Sequence, residues 1–210
     1  MAFNVNQFRT NFTGDGARPN LFFVSIPNIP SFNLSNSNIT GTNVAGSPNG
    51  AANNGLLSFM AKSAQLPGSS IGVAPVYYFG REIKFAGNRT FADCTVTIIN
   101  DENFAIRTAM ENWMNGINSH VNNVRAPNAL SSTGIPGQNT YVADASVQQF
   151  GKTGVAIPGG LYNFVGMFPT DISPIDLDWG SNDSIEEYTV TFAYQYWTNA
   201  TSTDTAIITQ

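Results

Sequence analysis

Charged side chains are scarce: they make up 11% of the 210 residues, against roughly 25% in an average soluble domain. Nine Lys and Arg stand against fourteen Asp and Glu, for a net charge of −5 and a pI of about 4.6. That balance excludes a basic grip on phosphates as the main mode of action. A single cysteine, Cys94, excludes an internal disulfide and a Cys-rich zinc site. A single histidine, His120, is the only imidazole base on offer. Hydrophobic residues reach 42%, yet no apolar run approaches the ~20 residues a spanning helix needs, so no membrane insertion is expected. The opening "MAFNVNQFRTNF" has neither a basic n-region nor an apolar h-region, so no secretory signal is expected either.

What is present is mostly strand pattern. In "KFAGNRTFADCTVTIIND" (84–101) the chain is expected to turn at Ala86-Gly87-Asn88 and then alternate. Ala92, Cys94, Val96 and Ile98 fall on one face, Asp93, Thr95 and Thr97 on the other. Glu186–Trp197 repeats the arrangement, with Tyr188, Val190, Phe192, Tyr194 and Tyr196 opposite Glu187, Thr189, Thr191, Ala193 and Gln195. Both reverse faces are polar and nearly chargeless. Either Asn, Ser and Thr solvate such faces, or further copies of the chain cover them. Leu21–Ile26, Leu56–Leu66 and Pro75–Phe85 also read as strands, the last with Ile83 and Phe85 facing away from Glu82 and Lys84. Val142–Phe150 and Val155–Phe168 read as a hairpin around "GKTG".

One helix interrupts the strands. Ile106, Met110, Trp113, Ile117 and Val121 recur at steps of three or four, an apolar stripe that braces the domain's own sheet. Asn100 or Asp101 is expected to cap it, with acids at 101 and 102 at the positive end of its dipole. Residues 31–55 and 126–140, rich in Asn, Ser, Gly and Pro, read as insertions, and the chain from Asn199 onward as a polar extension. Residues 1–210 are read as one domain.

The motifs for chemistry are weak. "GSSIG" (68–72) matches a nucleophile-elbow pattern around Ser70, but "IGVAP" after it cannot start the required helix, so a plain turn is expected. "DLDWGSND" (176–183) offers Asp176, Asp178 and Asp183 without the ligand spacing or closing glutamate of a calcium loop. Sequons at Asn11, Asn33, Asn38, Asn88, Asn182 and Asn199 are what an Asn- and Thr-rich chain produces by chance. There is no phosphate loop and no G-x-G-x-x-G. No catalytic, cofactor or metal site is expected, and Cys94 reads as a small core residue.

Four segments, in order along the chain, carry a resemblance: "GDGARPNLFFVSIP" (14–27), "AGNRTFADCTVTIINDEN" (86–103), the helix around Trp113, and "GMFPTDISPIDLDWGSNDSIEEYTVTFAYQYW" (166–197). Together they resemble the tail tube proteins of contractile-tailed bacteriophages, relatives of the tubes of type VI secretion and contractile injection systems. The likeness covers most of residues 8–197; the insertions and the C-terminal extension depart from it. It implies a mainly β fold, an antiparallel β-sandwich or partial barrel with one flanking helix. It also implies a structural virion protein, not an enzyme, forming hexameric rings that stack into a tube with a continuous inner barrel. Implied partners are further copies of the chain, the tail sheath, baseplate and tail terminator proteins, the tape measure protein and then double-stranded DNA in the lumen. The implied location is the virion tail, and the host cytoplasm during assembly. Strands near 56–66, 76–85, 142–150 and 161–168 are then the candidates for the inner wall. Glu82, Lys84, Asp144, Ser146 and Gln148 are the candidate lumen residues; Ile106, Met110, Trp113 and Ile117 are the brace. Alternative readings are the tube of a phage-derived injection device, with protein cargo, and a carbohydrate-binding decoration module.

Overall fold

The computed structural model describes residues 5–11, 16–27, 29–30, 60–126 and 141–199. The insertions expected at 31–55 and 126–140 (apart from Ala126) and the extension beyond Asn199 lie outside these residues. Among these residues two helices and nine strands run in the order α1 (Val5–Asn11), β1 (Phe22–Ser25), β2 (Ala61–Ala64), β3 (Ser69–Tyr78), β4 (Arg81–Phe91), β5 (Cys94–Ile99), α2 (Ala105–Ile117), β6 (Ala143–Phe150), β7 (Ala156–Ile172), β8 (Glu187–Ala193) and β9 (Tyr196–Asn199). Neither helix is long and apolar enough to cross a membrane. Seven strands form one antiparallel sheet in the order β1-β6-β7-β8-β5-β2, with β9 paired to β7; β3 and β4 form a separate two-stranded sheet. The mainly β, antiparallel expectation holds.

The long strand β7 makes the sheet double back. Through Val165 it pairs with β9, and from Phe168 onward it pairs with β8. Gly166 sits at the switch with φ of 66°, a left-handed conformation that glycine adopts without steric cost. A β-carbon there would come within 2.9 Å of Gln195 Cγ. The two halves thus become layers, β1-β6-β7-β9 and β7-β8-β5-β2, with one core between them. Val24, Val147 and Phe164 enter it from the first; Cys94, Val96, Ile98, Tyr188, Val190 and Phe192 from the second. The ends of the sheet, β1 and β2, touch without pairing, so the barrel stays partial.

The helix packs against this core and is shorter than its sequence pattern. Ile106, Met110 and Trp113 are buried, and Ile117 packs against the core half-buried. Val121 is 90% exposed, because the helix ends at Ile117 and Asn118 is extended. The Trp113 Nε1–H donates to the Tyr141 carbonyl at 2.6 Å, and its ring lies 6.3 Å from that of Phe192. The N-cap position is Phe104, not Asn100 or Asp101. Asp101 still serves the helix start, its Oδ1 accepting from the Ala105 N–H at 3.1 Å.

Several strand boundaries differ from the sequence reading. Ala86-Gly87-Asn88 lies inside β4, at a register shift opposite Ile71 and Val73, and the true turn is Phe79-Gly80. Pro75–Phe85 is therefore not one strand but parts of two. Leu56–Leu66 yields a described strand only over Ala61–Ala64. The expected strand Glu186–Trp197 breaks after Ala193, because the chain crosses from one layer to the other: β9 pairs with β7, and Tyr196 is 46% exposed. Within β5 and β8 the chargeless outer faces are accounted for in part. Thr95 lies opposite Thr191, and Thr97 opposite Thr189 with their hydroxyls 3.5 Å apart, a cross-strand threonine ladder.

Cys94 is 2% exposed, with its Sγ–H near the Gln65 carbonyl at 3.7 Å. Burial pushes the thiol from an ordinary 9.0 to about 11, partly offset by that hydrogen bond. At pH 8 the thiolate fraction is then about a hundredfold below that of the unfolded chain. Native protein should react with a thiol-specific disulfide reagent at least that much more slowly than denatured protein. Equal rates would show the thiol is not packed. Because the folded pKa is raised, this contribution to stability is complete below pH 9 and is lost as pH rises towards 11.

Candidate assembly surface

The β3–β4 hairpin owes nothing to the sandwich beyond its base. There the Trp197 Nε1–H donates to the Gly68 carbonyl at 3.4 Å and the Phe91 ring lies tilted, 6.2 Å from that of Tyr194, while within the hairpin Ser70 Oγ meets Thr90 Oγ1 at 2.7 Å. From there, among the described residues, the two strands pair only with each other. Of their residues only Phe91 is even half-buried. The two strands cross closely at Gly72 and Gly87: a β-carbon on Gly87 would lie 3.0 Å from the Gly72 carbonyl oxygen. An isolated two-stranded hairpin is marginal in water.

The register sorts the hairpin into two unlike faces, because paired residues share a face. Ala74 pairs with Phe85, Val76 with Ile83 and Tyr78 with Arg81, giving an apolar face with one cation at the tip. On the other face, Ile71 pairs with Arg89, Pro75 with Lys84 and Tyr77 with Glu82. Val76, Tyr78, Ile83 and Phe85 are 51%, 64%, 43% and 54% exposed. A contiguous apolar surface of this kind marks a contact site. The outer edges of β3 and β4 also leave backbone groups open to further pairing.

The structure places the candidate lumen residues in two groups. Glu82 and Lys84 are exposed together on the charged hairpin face. Asp144, Ser146 and Gln148 lie on the outward side of β6, alternating with buried Ala143, Ala145 and Val147. Asp144 is exposed, with Oδ1 accepting from the Gly166 N–H at 3.1 Å, while the Gln148 amide folds back onto the carbonyls of Gln149 and Ile157. No hydrogen bond or ion pair joins the two groups among the described residues.

Ser70 is not in a turn; it is a strand residue whose hydroxyl is engaged by Thr90, and His120 lies beyond the end of α2, bonded through its backbone to Asn115. Asp178 accepts from the Gly180 N–H at 3.0 Å, and Trp179 beside it is fully exposed. Among the described residues no three of His, Cys, Asp and Glu converge to hold a metal ion. The projecting hairpin is what the sequence reading missed. Its signal was the Phe79-Gly80 dipeptide between two apolar alternations of matching length.

Among the described residues the sandwich thus carries a long exposed arm that is apolar on one side, a surface suited to contact with other protein. The chain matches the model of the phage tail tube protein family over residues 17–200. It is 30% identical to the tail tube protein gp19 of Enterobacteria phage T4 over 185 residues, 88% of this chain and 93% of that one. Its fold is similar to chains of the cryo-EM structure of the anti-feeding prophage tube-terminating cap (TM-score 0.55, 14% identity, 89% and 92% of the two chains covered). It is likewise similar to the sheath–tube complex of the extracellular contractile injection system PVC in its extended state (TM-score 0.51, 15% identity, 94% and 98% covered). The chain belongs to the phage tail tube protein family.

Proposed function

We propose that this chain is the building block of a contractile phage tail tube: copies close into hexameric rings, and rings stack into a conduit for double-stranded DNA. Family membership over residues 17–200 carries the reading. The uncovered hairpin supports it, since a ring neighbour supplies the cover that water cannot. The role is structural and needs no catalysis. The sheath, tail terminator, baseplate and tape measure protein are the further partners, met in the host cytoplasm as the tail is built.

Within that tube the charged hairpin face, with Glu82 and Lys84, is assigned to the bore. Glu82 offsets one of the two cations, Lys84 and Arg89, on that face, which limits the counterion-release affinity that each neutralised phosphate would add to brake the cargo. Concentrated protein, alone or nucleated by a baseplate, should give stacked six-fold rings whose cryo-EM reconstruction puts Glu82 and Lys84 on the inner wall. Strictly monomeric behaviour in both conditions would end the tube reading. A tube with these residues outside the bore would end only the lumen assignment.

A further inference from the structure

The turn at the tip of the hairpin contains a residue that its backbone does not favour. Phe79 and Gly80 both have positive φ, 48° and 78°, between the paired residues Tyr78 and Arg81. This is the two-residue turn in which Asn-Gly or Asp-Gly is the preferred pair. A bulky aromatic at positive φ is an outlier that local sterics oppose. Among the described residues only the neighbouring Tyr78 ring meets its side chain. The Phe79 ring stands edge-on to Tyr78, 4.5 Å between centroids, which fixes its direction, yet it remains 91% exposed. Arg81 beside it pairs with no carboxylate among the described residues. A strained, rigid, exposed aromatic next to a free guanidinium is the composition of an interface anchor.

The same chain offers a receptor for it. On the outward side of the β6–β7 pair lies a shallow hollow of about 270 Å³, edged by Pro27 and Val165 with Asp144, Ser146 and Asn163, and floored by the strands at Ala145 and Phe164, whose side chains are buried in the core. Asp144 meets no cation there among the described residues; its carboxylate accepts a hydrogen bond from the Gly166 N–H. Two different regions of one surface are therefore complementary in charge: an exposed aromatic beside a cation, and an open hollow beside an anion.

We propose that the hairpin tip of one copy inserts Phe79 into the β6–β7 hollow of a second copy, with Arg81 held by the second copy's Asp144. This rests on the reading that copies of the chain assemble, and it deepens that reading by naming the contact. The contact is head-to-tail, joining unlike patches, which is the kind that closes into a ring when its rotation permits. It also moves Asp144 from the bore to a subunit boundary.

The test uses Phe79→Asn, which supplies the residue the turn prefers. The hairpin should be as stable or more so, with monomer melting unchanged or raised, while the concentration at which rings form rises at least tenfold. A double-mutant cycle on Arg81→Gln and Asp144→Asn checks the polar arm; asparagine keeps an acceptor for the Gly166 N–H, so the fold is spared. Each single variant should raise the assembly threshold several-fold, and the double should be little worse than either. Unchanged assembly of Phe79→Asn beside an assembling wild type would overturn the tip contact alone. Additive effects in the cycle would overturn the Arg81–Asp144 pairing. A wild type that never assembles would overturn both this contact and the tube reading.

Discussion

Trp113→Ala will remove about 3–5 kcal/mol of stability, the cost of deleting a fully buried indole and leaving its cavity. Trp113 is 0% exposed, touches the Phe192 ring and is the donor for the Tyr141 carbonyl. Tyr141 itself sits at the entry to β6, T-shaped against Phe168 with the Arg125 guanidinium 4.6 Å from its ring centre. The substitution therefore releases the start of β6 as well as the helix. Set against a typical total of ~5–15 kcal/mol, the loss takes a large share of the folding free energy. Urea unfolding should show a much lower midpoint, and soluble yield should fall. Trp113→Phe separates the two contributions: the ring volume is largely kept while the Tyr141 carbonyl loses its partner, at about 1–3 kcal/mol. An alanine variant that unfolds at the wild-type midpoint would mean that the helix does not brace the sandwich.

That helix was legible in the sequence because a single period governs it. Ile106, Met110 and Trp113 repeat at the helical step, and tertiary packing uses the same stripe. Its end was not legible. Val121 fits the period, yet nothing in the period records that the chain turns away after Ile117. The core strands were likewise readable wherever one face is buried and one is not, as in Cys94, Val96 and Ile98. Period-2 reasoning failed where a strand changes partner or leaves the body. Tyr194 and Tyr196 continue the alternation of Tyr188, Val190 and Phe192, but a crossing between layers intervenes. The hairpin was hidden for a related reason. Its apolar face has the pattern of a core strand, and sequence cannot say that no core covers it among the described residues.

The same face gives the largest effect on assembly. Val76→Lys combined with Ile83→Asp will leave the monomer folded and abolish ring formation. The two positions are directly paired across the hairpin and about half exposed, so in the monomer both new charges stay in water. An opposite-charge pair facing across two strands contributes roughly 0.2–1 kcal/mol, which offsets the lower strand propensity of the new residues. Circular dichroism and the melting temperature should therefore match the wild type. In a ring the balance reverses. Covering the face with a neighbour's surface would desolvate both charges, at several kcal/mol per ion, and their mutual attraction recovers only part of that. A net penalty of about 4 kcal/mol weakens each subunit contact roughly a thousandfold. Because every subunit in a closed ring meets that penalty, sedimentation velocity should show only monomer at concentrations where the wild type forms rings and tubes. Rings forming at the wild-type concentration would show that the face of Ala74, Val76, Ile83 and Phe85 remains open to solvent in the assembled tube.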